Sequence, residues 1–71
     1  MTNNLKKIRQ EKKLSQLRLS YATGISPADI SRIENGWTRP YPGWRKRLSE
    51  ALGEAESTVF PNDGDGQVSE V

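Results

Sequence analysis

Gln16-Leu17-Arg18-Leu19-Ser20-Tyr21-Ala22-Thr23-Gly24-Ile25-Ser26-Pro27-Ala28-Asp29-Ile30-Ser31-Arg32-Ile33-Glu34-Asn35-Gly36 is the stretch on which the fold turns. Ser26 is a helix-capping residue, and Pro27 falls at the first helical position, where a missing N–H costs nothing. Asp29, three residues after the cap, completes a capping box. The helix started there turns Ile30 and Ile33 inward and stops at Gly36. Upstream, Ser15 is placed to cap a helix carrying Leu19, Ala22 and Thr23, which Gly24 ends in left-handed geometry. Only Gly24-Ile25-Ser26 separates the two helices, so the chain must turn a sharp corner. Leu19, Ile25, Ile30 and Ile33 supply the wedge behind that corner, and Ser20 is small enough for close approach.

Working outward, Leu5 and Ile8 mark one face of a first helix over about 4–12, with its basic residues elsewhere. After Gly36 comes a Pro-rich loop, Arg39-Pro40-Tyr41-Pro42. Trp44, Leu48, Ala51 and Leu52 then follow helical spacing to Gly53, and a last short helix over about 55–60 returns Val59 and Phe60 to the core. Five short helices, no strand and no internal repeat predict an all-α domain over 1–60. The remainder, 61–71, has only Val68 and Val71 as apolar residues and reads as an acidic disordered tail. Asp63 and Asp65 do not make a calcium loop: placed at positions 3 and 5, they put Pro61 at position 1.

With 71 residues the chain is one small domain, and a fold of this size commonly needs a staple or a partner. It has no cysteine and no histidine, so disulfides, a structural zinc and Cys–His or Ser–His nucleophiles are not expected. No catalytic residue, metal or cofactor is therefore assigned, and an enzyme is a distant reading. No apolar stretch approaches the ~18 residues of a membrane span. The start, Met1-Thr2-Asn3-Asn4-Leu5-Lys6-Lys7, has no apolar segment of a secretory signal, so a cytoplasmic protein is expected.

The net charge of +2 hides a split. All 11 Lys and Arg lie in 1–53 against four acids (+7), while 54–71 hold five acids and no base (−5). The asymmetry suits a polyanion-binding body with an acidic tail; a merely solvated charged surface is the plainer reading.

The corner itself has two readings. One is an ordinary pair of packed helices. The other is a helix-turn-helix, whose first helix lies across phosphates while the second offers its N-terminal residues to the major groove. The second helix presents Pro27, Ala28, Asp29, Ser31 and Arg32 outward, on a basic body, which favours the latter.

The run Leu14-Ser15-Gln16, Leu19, Gly24-Ile25-Ser26 and Ile30-Ser31-Arg32-Ile33-Glu34-Asn35-Gly36, continued by Arg39-Pro40 and Ala51-Leu52-Gly53, resembles the phage-repressor-like helix-turn-helix family (the Cro/repressor or XRE type) over about residues 4–60. The resemblance implies a lambda-repressor-like, five-helix DNA-binding domain with its helix-turn-helix at helices 2 and 3. It implies a transcriptional regulator, dimeric at least on DNA, that reads a palindromic operator in double-stranded DNA. By position, Pro27, Ala28 and Arg32 fall where the family reads bases, with Asp29 and Ser31 beside them. Gln16, Ser26, Asn35, Thr38 and Arg39 fall where it holds phosphates.

The chemistry of those residue types agrees. Arg32 can donate two hydrogen bonds to guanine O6 and N7, worth ~1–3 kcal/mol of discrimination. Pro27 and Ala28 offer apolar contact, as to a thymine methyl. Asp29 is a cap or, alternatively, an acceptor from cytosine N4, the cap being favoured. Glu34 faces away from the groove and is expected to pair with a base inside the domain. Lys6, Lys7, Lys12 and Lys13 read mainly as a solvated face, and Trp44 as core.

Three departures from the family pattern stand out. Arg45 and Lys46 replace apolar residues and, with Arg47, are expected to form a basic cluster that approaches phosphate. Leu17 and Tyr21, one turn apart, replace exposed polar residues. Glu54-Ala55-Glu56 replaces an apolar start to the fifth helix. Leu17, Tyr21 and the tail support the alternative function, a protein-interaction module that docks a protein partner and binds DNA weakly. Duplex binding across a salt series separates the two.

Overall fold

A computed structural model describes residues 3–61. Five helices follow in order: α1 (Leu5–Glu11), α2 (Gln16–Thr23), α3 (Pro27–Glu34), α4 (Pro42–Leu52) and α5 (Glu56–Val59). No strand occurs among the described residues, and the fold is the expected all-α helix-turn-helix domain. Of the acidic segment assigned to 61–71, all but Pro61 lies outside the described residues.

The signals that bound α2 act as read. Ser15 Oγ accepts the Arg18 N–H at 3.0 Å, opening α2, and Gly24 closes it at φ +78°. Thr23 Oγ1 donates to the Leu19 carbonyl and accepts the Ile25 N–H at 3.2 Å, so the turn's buried polar groups are satisfied. Pro42 does not belong to the loop assigned to Arg39–Pro42. It occupies the first turn of α4 after Tyr41, where its fixed φ suits a helix start.

Leu5, Ile8, Leu19, Ile25, Ile30, Ile33, Leu48, Leu52, Val59 and Phe60 form one buried cluster, with Leu14, Trp44 and Ala51 packed against it. All four wedge residues are therefore in the core. Of the residues read on α2, Leu19 and Thr23 are buried, whereas Ala22 is exposed. α2 packs against both α3 and α4, α1 against α3, and α5 against α4. The chain start is tied in as well. Asn3 Nδ2 donates to the Ile33 carbonyl at 2.8 Å and Asn4 Nδ2 to the Thr58 carbonyl at 2.9 Å.

Two basic residues correct the sequence reading. The base-free inner face assigned to α1 carries Arg9, which is buried. Leu5, Ile8 and Arg9 are spaced i, i+3 and i+4, so helical geometry brings Arg9 to the apolar side. Arg45 likewise leaves the basic cluster expected with Lys46 and Arg47. It is buried at i, with Leu48, Ser49 and Leu52 at i+3, i+4 and i+7, and its guanidinium lies 5.8 Å from the Phe60 ring centroid. Lys46 and Arg47 remain exposed.

Candidate nucleic-acid interface

α3 projects one face from the domain. Ile30 and Ile33 are fully buried, while Pro27, Ala28 and Arg32 on the other side are exposed and Asp29 and Ser31 are half-buried. The first turn is built by the cap. Ser26 Oγ accepts the Asp29 N–H at 3.1 Å and donates to Asp29 Oδ2 at 2.9 Å. The other carboxylate oxygen, Oδ1, accepts from Arg32 Nη1 at 3.0 Å. Asp29 thus meets the Ser26 hydroxyl, not the Ser26 N–H that the expected capping box would use, and it also holds the arginine. In solvent such a pair adds little stability, but it orients the guanidinium and leaves Nε and Nη2 unspent by this contact. Those two donors suit the bidentate geometry of a guanine edge.

The end of α3 is set as firmly. Gly36 takes φ +75°, its N–H donates to the Ile33 carbonyl at 3.0 Å, and the Trp37 N–H donates to the Arg32 carbonyl at 2.9 Å. This pair of bonds is a Schellman motif and needs the left-handed residue glycine supplies. Asn35 Nδ2 folds back on the Ser31 carbonyl at 2.8 Å. Thr38 and Arg39 are exposed in the following loop.

Gln16, at the start of α2, is linked to the end of α3. Its Nε2 donates to Glu34 Oε1 at 3.0 Å. Glu34 also receives Arg9 through Nε and Nη2, and Arg9 Nη1 donates to the Leu14 carbonyl at 2.8 Å. The internal partner expected for Glu34 is therefore Arg9. One amide hydrogen of Gln16 is spent, and the second is available for an anion above α2.

Among the residues assigned to phosphate, Ser26 has its hydroxyl engaged in the cap; Pro27 has no N–H and the amides of Asp29 and Ile30 are bonded to Ser26, so of the amides opening α3 that of Ala28 is left for an anion. Lys6, Lys7, Lys12, Lys13, Arg18, Arg32, Arg39, Lys46 and Arg47 are all exposed, leaving only Arg9 and Arg45 of the 11 bases buried. Sequence reasoning missed Arg9, whose spacing with Leu5 and Ile8 was the available signal. Among the described residues no group of three or more His, Cys, Asp or Glu converges as a metal site would require, and no helix is long and apolar enough to cross a membrane.

Two helices joined by a three-residue corner, the second with its apolar face buried and its polar face outward, define a helix-turn-helix domain. The chain belongs to the helix-turn-helix domain family, whose sequence profile matches residues 2–62. It is similar to the HTH-type transcriptional repressor RghR of Bacillus subtilis (strain 168), with 47% identity over 49 residues. That alignment covers 68% of this chain and 36% of the relative, so the chain matches about a third of that protein's length.

Proposed function

We propose that this chain is a sequence-specific, double-stranded-DNA-binding transcriptional regulator that seats α3 in the major groove. The observation that carries the reading is the uncovered outer face of α3, with Arg32 oriented by Asp29. Membership of the helix-turn-helix family and similarity to a transcriptional repressor support it. Pro27, Ala28 and Arg32 would read bases, with Asp29 and Ser31 beside them. Gln16, the start of α3 at Ser26, Asn35, Thr38 and Arg39 would hold phosphates. Two copies on a palindromic operator would set their α3 helices one DNA turn apart, about 34 Å.

Selection of bound duplexes from a random library tests this directly. The expected product is a pair of related half-sites one turn apart. Recovery of unselected sequence, with binding that vanishes at moderate salt, would reduce the function to sequence-blind phosphate binding. A second reading has its own observation. Leu17 and Tyr21 are 51% and 78% exposed and, with Ser15, Arg18 and Ala22, line an open groove along α2. A protein partner docked there would make the chain an interaction module; absence of duplex binding even at low salt would favour it.

A further inference from the structure

Trp37 is 76% exposed, although few side chains gain more from burial. Its root is nevertheless fixed, since the Schellman bonds at Gly36 and Trp37 pin its backbone to the last turn of α3. Eight residues make α3 about 12 Å long, which is about the width of the major groove. A helix that meets base edges with its N-terminal end therefore brings its C-terminal end to the groove's rim, where sugars and phosphates lie. Trp37 leaves the domain at that end, followed by exposed Thr38 and Arg39. Tyr41, also exposed, is engaged within the domain: its ring meets Trp44 edge to face with centroids 4.8 Å apart.

We propose that Trp37 is a DNA-backbone contact, its indole lying on the deoxyribose surface at the groove rim and its Nε1–H donating to a phosphate oxygen. This rests on the DNA-binding reading above and adds a non-ionic contact to it. A tryptophan displaces no counterion, so its contribution to affinity is the same at every salt concentration, unlike that of a lysine or arginine. The indole is suited to such a boundary because one edge is polar and the rest is apolar.

The test uses the full chain and a random-sequence duplex of about 20 base pairs, titrated across a salt series. Trp37→Ala should weaken binding about five- to tenfold at every salt concentration, with the slope of log affinity against log salt unchanged. Trp37→Phe, which keeps a ring and loses the N–H, should recover part of that loss. Thermal melting of the free protein should hardly move, because the ring is exposed. Should Trp37→Ala fail to fold, acrylamide quenching decides: emission assigned to Trp37 by difference from Trp37→Phe should become protected when duplex is added. Wild-type affinity in Trp37→Ala, an altered salt slope, or an indole equally quenched on saturating duplex would each overturn the proposal. So would tighter binding and stronger protection with a single strand, which would signal base stacking instead. Those outcomes leave the DNA-binding reading standing, whereas failure of the wild-type chain to bind any duplex at low salt removes both.

Discussion

Arg9 Nε lies 2.5 Å from Glu34 Oε2, joining residues 25 apart in the chain with both side chains almost sealed from solvent. The carboxylate also accepts from Gln16, so one buried charge ties α1, the start of α2 and the end of α3 together. A buried pair is weak evidence of net stabilisation, because desolvation offsets most of the attraction. Removal of one partner is a different matter, for it leaves the other charge buried and unpaired. Glu34→Ala should therefore destabilise the domain by ~3–5 kcal/mol, read as a lower urea midpoint. The double variant Arg9→Met, Glu34→Leu should recover most of that loss. If Glu34→Ala melts like the wild type, the network is not holding the helices.

Lys13 occupies φ +61°, the left-handed region, at the end of α1. The bonds from Lys13 N–H to the Gln10 carbonyl and from Leu14 N–H to the Arg9 carbonyl repeat those formed at Gly36. Here, however, the motif is closed by a residue with a Cβ, at a cost of roughly 1–2 kcal/mol. Lys13→Gly should relieve it, less what glycine loses through a freer unfolded chain, for a gain of ~0.5–1 kcal/mol. In a domain this small the melting temperature should rise by about 3–6 °C. A fall in melting temperature would mean that the lysine side chain makes a contribution larger than its backbone strain.

Arg32 and Arg39 differ in surroundings and should differ in consequence. Arg32 is braced by Asp29 on the outer face of α3; Arg39 lies in the loop beyond. Arg32→Ala should remove ~1–3 kcal/mol of discrimination at one base pair and leave other positions as they were. Arg39→Ala should weaken all duplexes alike and reduce the salt slope by about 0.9. Competition between selected and random duplexes measures both. Equal, sequence-blind losses from the two variants would refute the division of labour. Asp29→Asn belongs to the same experiment: with its charge gone, Arg32 loses its brace, and discrimination should fall by less than in Arg32→Ala.

The helix-turn-helix was legible because its signals are local. Ser15, Gly24, Ser26, Pro27 and Gly36 each set backbone geometry within a few residues of themselves, and the inward isoleucines follow from period alone. The partner of Glu34 was not legible to the same degree. That Glu34 turns inward follows from its place on α3, but the choice of Arg9 depends on how α1 lies across α3. From sequence Asp29 is a choice between cap and base reader; in the structure one carboxylate oxygen meets the cap hydroxyl and the other meets Arg32, its i, i+3 neighbour on α3. The misplaced arginines have one cause. Their charge argues for the surface, but at Arg9 and Arg45 the helical face decides.

Arg45 shows what that correction implies. Its Nε is buried without a hydrogen-bond partner, 3.8 Å from Glu56 Oε1, while its guanidinium lies over the Phe60 ring. The stem fills space in the core, and the charge is poorly compensated. Arg45→Met keeps an unbranched apolar stem and deletes the orphaned donor, so stability should stay within ~1 kcal/mol of wild type or rise. Were the side chain instead part of a phosphate-facing cluster, the same variant would cost duplex affinity and flatten the salt dependence. A buried Arg45 predicts neither, and Lys46→Ala supplies the contrast because that lysine is exposed on the same helix. A salt slope that drops by about one unit in Arg45→Met would place the guanidinium on DNA and overturn its assignment to the interior.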